Sequence, residues 1–452
     1  MISFLAVCIL AFSACRKNDE ITTSKSASLS FSVDTVLFDT VFTAVGSVNK
    51  RIKVFNENEK AVNISNIRLG GGTNSFFSLI INGVPTNDKS NVQIGAKDSI
   101  SIYVKAIINP NSLDQPFIVE DSLLFNTNGN AQSIALIAYG QNAVFVNSET
   151  ITSNTTWAAG LPYIVNKSVT VAEGVTLNIS PGAKVYFHGS SVMNVRGSLR
   201  VNGSSSNSVV FSSDRTEGFY ENEAGQWLGI RLFASSSNNK IAYATIKNAV
   251  IGVTADSVTS DGSTKVLLAN NIIKNMTIAG FVGYGTDMTG FNNLFYNCGQ
   301  FLVYGVGGGH YDLKQNTFAG YNREFSRRTP SVYFSDLSNT FSSDLYIELT
   351  NNIIWGVLSE ELQVEKKTTA LLTTKIRYNS IKTSLTTYSN LNFLGADPKF
   401  VDVIGGNFEL QTGSPAFKKG IDLSPDPYYG TYLKADIRNR ARAFPSTLGC
   451  YE

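Results

Sequence analysis

Asn271-Ile-Ile-Lys-Asn275, Asn293-Leu-Phe-Tyr-Asn297, Asn316-Thr-Phe-Ala-Gly320, Asn352-Ile-Ile-Trp-Gly356 and Asn379-Ser-Ile-Lys-Thr383 are five copies of one short phrase, within the stretch 241–384. Their leading Asn residues stand 22, 23, 36 and 27 positions apart, and Thr245-Ile-Lys-Asn248 is a weaker copy 26 positions before Asn271. A unit of that length cannot bury its own apolar side, so the period marks a solenoid whose units share a core with their neighbours. Within the phrase a small or apolar, a large apolar and a variable residue follow one another at the strand period, too briefly for a helix. Short strands therefore build the unit. A fixed Asn suits a corner, because it tolerates left-handed backbone and its amide bonds to equivalent amides above and below. Asn271, Asn293, Asn316, Asn352 and Asn379 are expected to form such a ladder, with the trailing Asn or Gly at the next bend.

The L-x-x-L-x-L frame of leucine-rich repeats, which also carry Asn at a similar period, is missing. Upstream of the repeats, Tyr163-Ile-Val-Asn-Lys-Ser-Val-Thr-Val-Ala-Glu-Gly174 runs into Val175-Thr-Leu-Asn-Ile-Ser-Pro-Gly182. Met193-Asn-Val-Arg-Gly-Ser-Leu-Arg-Val-Asn-Gly203 and Gln226-Trp-Leu-Gly-Ile230 follow. This order and spacing is similar to the opening coils of bacterial β-helix proteins. The end resembles their closing pattern, in Ala396-Asp-Pro-Lys-Phe-Val-Asp402, Asn407-Phe-Glu-Leu-Gln-Thr-Gly-Ser-Pro-Ala416, Asp436-Ile-Arg-Asn-Arg440 and Leu448-Gly-Cys-Tyr-Glu452. The resemblance is to the right-handed parallel β-helix, the pectin-lyase-like fold. It implies a helix over 157–395 with nine or ten coils, and a cap over 396–452 that covers an otherwise open sheet end.

The first 15 residues carry an apolar run of about eleven, the length of a signal-peptide core and too short to span a bilayer. Phe12-Ser13-Ala14-Cys15 resembles a bacterial lipobox, with Phe12 where Leu is usual and no Lys or Arg ahead of the run. That resemblance implies lipidation at Cys15, an outer-membrane anchor and exposure at the cell surface or the periplasmic face. The polar residues 16–28 then read as a tether. Cys298 and Cys450 remain in the body; two buried free thiols are the expectation, and a disulfide between them the alternative.

Over 29–147 the pattern changes. Alternating runs at 35–42, 50–55, 62–69, 76–82, 99–107, 121–126 and 132–140 are separated by turn clusters, which describes an antiparallel β-sandwich of immunoglobulin type. Lys53-Val-Phe-Asn-Glu-Asn58 and the strand after it resemble the abnormal-spindle/hydin family of Ig-like domains, which implies a spacer or partner-binding module without chemistry. Residues 147–157 read as a polar connector. The fold class is thus all-β, an Ig-like sandwich followed by a parallel β-helix and a C-terminal cap.

A formal net charge of +2 and 16% charged residues give no concentrated basic face of the kind nucleic acid requires. Nothing in the sequence resembles a metal-binding Cys/His set, and no cofactor is expected. A lyase on this fold needs a Lys or Arg base beside carboxylates that hold calcium, and a glycosidase needs facing Asp or Glu residues. The repeat phrases carry almost no carboxylate, and the polygalacturonase motifs N-T-D, D-D and G-H-G are absent. His188 reads as structural. His310 and Asp312, after Gly307-Gly-Gly309, are weak catalytic candidates. The 36-residue gap implies a long loop containing Tyr321-Asn-Arg-Glu-Phe-Ser-Arg-Arg328, where Tyr321, Arg323, Arg327 and Arg328 are ligand-binding candidates for an acidic glycan. A second loop, 214–226, carries Glu217, Tyr220, Glu221 and Glu223.

Two functions remain in view. The first is a monomeric lipoprotein acting as a non-catalytic binding or scaffold protein that contacts glycan or extracellular matrix along the β-helix, or another surface protein; the second is a divergent polysaccharide lyase or glycoside hydrolase, with calcium under the lyase form. Carboxylates converging with Arg or His in a groove favour the enzyme, whereas a face of Ser, Thr and Asn favours the binding protein.

Overall fold

The computed structural model describes residues 20–259, 262–322 and 326–452. The chain divides into two compact units, one ending at Ala143 and the other running from Val144 to Glu452. The first is a sandwich of two five-stranded sheets. In one, Ser30–Phe31, Lys50–Phe55, Ser99–Ala106, Phe77–Ile81 and Val84–Pro85 lie side by side. In the other the order is Thr35–Phe42, Asn130–Gln141, Phe117–Thr127, Val62–Leu69 and Asp88–Ile94, with the first pair parallel and the rest antiparallel. Alternate residues such as Ile52, Val54, Ile64, Ile102, Leu123 and Leu136 meet between the sheets as one buried cluster. Asn56, in the turn singled out above, is buried and donates to the carbonyls of Lys60, Ile94 and Gly95.

Residues 20–28 are not a free tether. Ile21 forms a bridge to Ala61, and Ala27 is buried. The Asn128 and Asn130 amides hold the carbonyls of Thr22 and Ala27 at 2.8 and 3.0 Å. Backbone groups that water would otherwise satisfy thus find partners on the sandwich. Residues 1–19, including Cys15, lie outside the described residues.

The second unit is a parallel β-helix of three sheets. The span 147–157 is not a connector, since Val144–Ile151 and Thr155–Trp157 pair with Tyr163–Val171 and Thr176–Ile179 as the first coil. One sheet, here sheet I, contains the Asn-phrase strands, from Val144 to Phe393–Leu394. Sheet II follows it in each coil, and its eight successive parallel pairings link nine strands. Sheet III likewise links nine. Ala279–Phe291 and Phe301–Lys314 bend to serve both II and III.

Stacking of like side chains holds the coils together. Val185, Phe211, Ile246, Ile273, Phe295, Phe318, Ile354 and Ile381 occupy successive inward positions of sheet I, all fully buried. Each contributes on the order of 1.5–3 kcal/mol of burial. Phe187 stacks on Trp227 with centroids 4.0 Å apart.

The expected Asn ladder is present at the corner from sheet III to sheet I. Asn271 donates through both its backbone N–H and its amide to Oδ1 of Asn293, at 3.0 and 2.9 Å. The same pair of bonds recurs from Asn293 to Asn316, Asn316 to Asn352, Asn352 to Asn379 and Asn379 to Asn392. Left-handed backbone, however, belongs to the residue before each ladder Asn: Asn270, Asn292, Gln315, Asn351, Tyr378 and Leu391 have φ between 52 and 61°. The bend thus precedes the ladder residue, which is free to sit fully buried. At the corner from I to II the trailing residues Asn248, Asn275 and Asn297 are left-handed, as expected, and form a second, shorter ladder.

The closing segment 396–452 is a lateral cap. Phe400, Phe408 and Cys450 pack on Leu294, Ile353 and Trp355, the outward positions of sheet I. The left-handed corner residues fasten it: Asn292 to the Tyr432 and Ala435 carbonyls, Gln315 to Ser446, Asn351 to Ile421. The end of the helix core is met instead by Tyr388 and Leu394. Cys298 and Cys450 are buried free thiols.

Candidate functional site

His310 and Asp312 lie on the outward face of one strand of sheet III, in neighbouring rows, with His310 exposed and Asp312 partly buried. Asp287 on the preceding coil accepts the His310 backbone N–H at 3.1 Å. Asp312 is committed to an ion cluster. The Lys314 ammonium lies 2.8 Å from Asp312, 2.7 Å from Asp426 of the closing segment and 3.9 Å from Glu348 on the next coil. Burial raises the Asp312 carboxyl above its usual range, Glu348 and Asp426 add to this, and Lys314 opposes it. Burial alone would lower the Lys314 pKa, but Asp312 and Asp426 hold it above normal. Three carboxylates thus converge, but on a lysine that bridges Asp312 to Asp426 and ties the cap to the helix, while Glu348 also has Lys375 at 3.4 Å.

The basic loop also resolves differently from the expectation. Arg327 is a core residue, not a ligand contact. Both its side chain and that of Glu361 have no solvent exposure, and Nη2 lies 2.6 and 2.7 Å from the two carboxylate oxygens. Glu361 also accepts from Ser331 N, Ser331 Oγ and Leu358 N. Gly320 and Gly356, which replace the trailing Asn of the earlier coils, make the room: a Cβ on Gly356 would come within 2.3 Å of Glu361. Arg328 is exposed, and Tyr321 is half-buried against Phe400 and Phe408. Arg323 lies outside the described residues.

His188 has a partner one coil away. Its Nδ1 is 2.6 Å from Oδ2 of Asp214, whose side chain is nearly sealed from solvent. Burial raises the Asp214 carboxyl, and His188 pulls it back. The 26-residue separation, one coil, was the available signal.

The most organised surface cleft lies on sheet II. Its outward row reads Thr170, Asn194, Arg231, Thr254, Val282, Tyr304, Tyr333 and Gln363 on successive coils. Tyr304 and Tyr333 stack with centroids 5.3 Å apart, and Phe301 packs on Tyr304 at 4.5 Å. With Tyr284, Lys367 and the loop around Ser338 they line a cleft of about 260 Å³. That loop is seated by Phe341, whose ring lies where a Cβ on Gly285 or Gly307 would have to go. Asp336 behind it is buried and accepts from Lys367 N, Thr368 N and Thr368 Oγ1. Burial would raise this carboxyl, but those bonds hold it below its usual range.

The tyrosine hydroxyls are oriented by charge. Tyr333 OH donates to Glu365 at 2.6 Å, and Lys367 pairs with the same carboxylate at 2.5 Å. The Lys367 and Tyr333 bonds lower the Glu365 pKa. Stacked rings expose edges and hydroxyls rather than open faces, so the row offers aligned phenol donors and acceptors along the helix axis. The recurring pair Val303-Tyr304 and Val332-Tyr333 was the signal for this row. Among the described residues, no group of three or more His, Cys, Asp or Glu side chains is placed to hold a metal ion, and no helix is long and apolar enough to cross a membrane.

No protein-family profile matches the chain. No curated protein matches it either. Among solved structures, a protein of unknown function from Porphyromonas gingivalis W83 is similar over 28% of this chain and 60% of its own, at 12% identity and a TM-score of 0.20. A family 123 glycoside hydrolase from Clostridium perfringens, described in connection with glycolipid glycan hydrolysis, is similar over 27% of this chain and 30% of its own, again at 12% identity and a TM-score of 0.20. The chain therefore spans less than two thirds of each, and similarities this slight carry no argument about fold or activity.

Proposed function

We propose that the chain is a cell-envelope lipoprotein that binds a glycan without cleaving it, using the outward row of sheet II. The observation that carries this reading is the tyrosine cleft at Tyr284, Tyr304 and Tyr333. Successive coils of a parallel sheet are about 4.8 Å apart, comparable to the length of one sugar ring, so hydroxyls repeated coil by coil can meet a chain of sugars in register. The remaining positions of the row are Thr, Asn, Gln and Val with one Arg, the polar, mostly uncharged face expected of a binding protein. The nearest carboxylate, Glu365, is already bonded to Tyr333, Gln363 and Lys367. The sandwich, which resembles the abnormal-spindle/hydin type, then serves as spacer from a lipid at Cys15 in the outer membrane.

The test is retention of the full chain on immobilised neutral and acidic polysaccharides, with product absorbance and reducing ends followed with and without calcium. Retention without cleavage, weakened several-fold by Tyr304→Ala and by Tyr333→Ala, is the expected result. Cleavage of any polysaccharide, or retention indifferent to both substitutions, overturns the reading.

A further inference from the structure

The solenoid ends with part of its core uncovered. Sheet I gains a last strand, Phe393–Leu394, beyond Ser380–Ile381, whereas sheet II stops at Leu362–Glu365 and sheet III at Leu372–Arg377. Leu372, Thr374 and Ile376 continue the inward row of Leu345, Ile347 and Leu349. Those three are buried, but their successors are half-buried or exposed. Val364 likewise stands over buried Phe334 and is only half-buried. Between this end and the turn at Tyr388 is a cavity of about 420 Å³, with Val364, Leu372, Ile376, Tyr388 and Leu391 in its walls.

The strand edge beside the cavity is open. Among the described residues, Leu372–Arg377 pairs with Leu345–Thr350 on one side and with no strand on the other. The Leu345 N–H bonds to the Leu371 carbonyl, so in this parallel register the backbone groups of Leu372, Thr374 and Ile376 point away from the coil below. The Asn392 amide holds the Ile376 carbonyl at 2.7 Å and the Tyr388 carbonyl at 2.9 Å, and the Tyr388 hydroxyl bonds to the Val364 backbone, which fixes the facing wall. An edge of this kind is ordinarily covered or charged, and here it is charged. Residues 362–377 carry four basic residues, Lys366, Lys367, Lys375 and Arg377, against the one acid Glu365. Glu365 is already bonded to Tyr333 and Lys367. Lys375 lies 3.4 Å from Glu348 of the coil below but is 65% exposed, and Arg377 is exposed as well.

We propose that this end of the solenoid binds an extended acidic peptide segment of a partner protein, added as one more strand on the Leu372–Arg377 edge. A strand so placed lies about 4.8 Å beyond the last one and repeats its alternation. Every second side chain enters the cavity over Leu372 and Ile376, and those between stand over Thr373, Lys375 and Arg377. The segment that fits therefore alternates apolar residues with Asp or Glu. The same charges oppose a second copy of this chain, because two such ends would set like charge against like. This proposal does not rest on the glycan reading.

The test is fluorescence anisotropy of the labelled peptide Asp-Val-Asp-Ile-Asp-Val-Asp titrated with the full chain. Three control peptides accompany it: the same residues with the acids grouped, Asp-Asp-Asp-Asp-Val-Ile-Val; the basic counterpart Lys-Val-Lys-Ile-Lys-Val-Lys; and the first peptide fully N-methylated, which keeps its charge and loses its backbone donors. Saturable binding of the alternating peptide is expected, at least tenfold weaker for each control and for the Lys375→Gln/Arg377→Gln variant. Thermal midpoints accompany the variant, and the control peptides on the parent chain decide if it is destabilised. The proposal is overturned if the alternating peptide does not bind, or if the grouped or N-methylated peptide binds as tightly. A chain that sediments as a dimer and is dispersed by Lys375→Gln/Arg377→Gln puts a second copy on this edge and overturns it too.

Discussion

Arg327 meets Glu361 inside the wall of the β-helix, with Nη2 2.6 and 2.7 Å from the two carboxylate oxygens and neither side chain exposed. The pair occupies the corner that Asn248, Asn275 and Asn297 fill on earlier coils. Removing one partner strands a buried charge, which costs about 3–5 kcal/mol, whereas replacing both by apolar residues is often neutral. Arg327→Met is therefore expected to destabilise the chain by that amount in urea, and Arg327→Met/Glu361→Leu to recover much of the loss. Glycan retention of the folded double variant stays at the parent level.

The Asn ladder predicts a position effect. Asn316 sits in the middle and accepts from the Asn293 backbone and amide while donating to Asn352 and to Gly290 O. Asn316→Ala leaves several buried groups unpaired at about 1–3 kcal/mol each. Asn392 ends the ladder and is more exposed. Urea midpoints should show Asn316→Ala more damaging by at least 2 kcal/mol, roughly one unpaired buried group; equal losses would mean that the ladder does not act as a unit.

Lys314 is expected to behave as a latch. Its replacement by Met leaves Asp312 and Asp426 facing one another without their shared cation, Glu348 still having Lys375 at 3.4 Å, so the closing segment should loosen. Limited proteolysis at pH 7.5 is expected to cut Lys314→Met within 396–452 several-fold faster than the parent. The sign with pH follows from the raised Asp312 pKa: acidification protonates Asp312 first and removes its repulsion with Asp426, so the difference narrows as pH falls. A difference that widens on acidification would contradict this account.

Cys298 and Cys450 set an alkaline limit. Burial pushes both thiols up to about 12, whereas an unfolded cysteine titrates near 8.5. Because the folded values are raised, their stabilising effect is full below about pH 8.5 and falls as pH climbs toward 12. Two thiols account for a slope of about 2.7 kcal/mol per pH unit between pH 9 and 11. Urea melts of Cys298→Ala/Cys450→Ala should lack that part of the slope while sharing all other titrations with the parent. Identical slopes would show that the thiols reach water.

The architecture was readable because a ladder and a core stack each demand one residue type at one spacing. Asn271 through Asn379 and the Val-Thr-Leu-Asn-Ile run could hardly be anything but stacked corners and strands. Asp88–Ile94 escaped notice because an edge strand with one solvent face needs only Val92 and Ile94 to be apolar. Arg327 was misread because a charged loop usually means solvent, and the compensating signal, Gly at 320 and 356 where Asn was due, points to a buried occupant only once Glu361 is known to face it. The sites were less legible still. Tyr304 and Tyr333 are 29 positions apart, a separation that means adjacency only after the intervening loop is counted out.

The lateral path of residues 396–452 also governs how this protein can change length. Asn292, Gln315 and Asn351 stand at three consecutive corners, and each is bonded to the segment that crosses them. A coil duplicated between those corners would move the attachments apart by about 4.8 Å and break the match with the crossing segment. A coil duplicated between Trp227 and Asn271 disturbs none of the three. Coils added or removed ahead of Asn271 therefore leave the tyrosine cleft and the crossing segment at a fixed spacing, whatever the length of the rest.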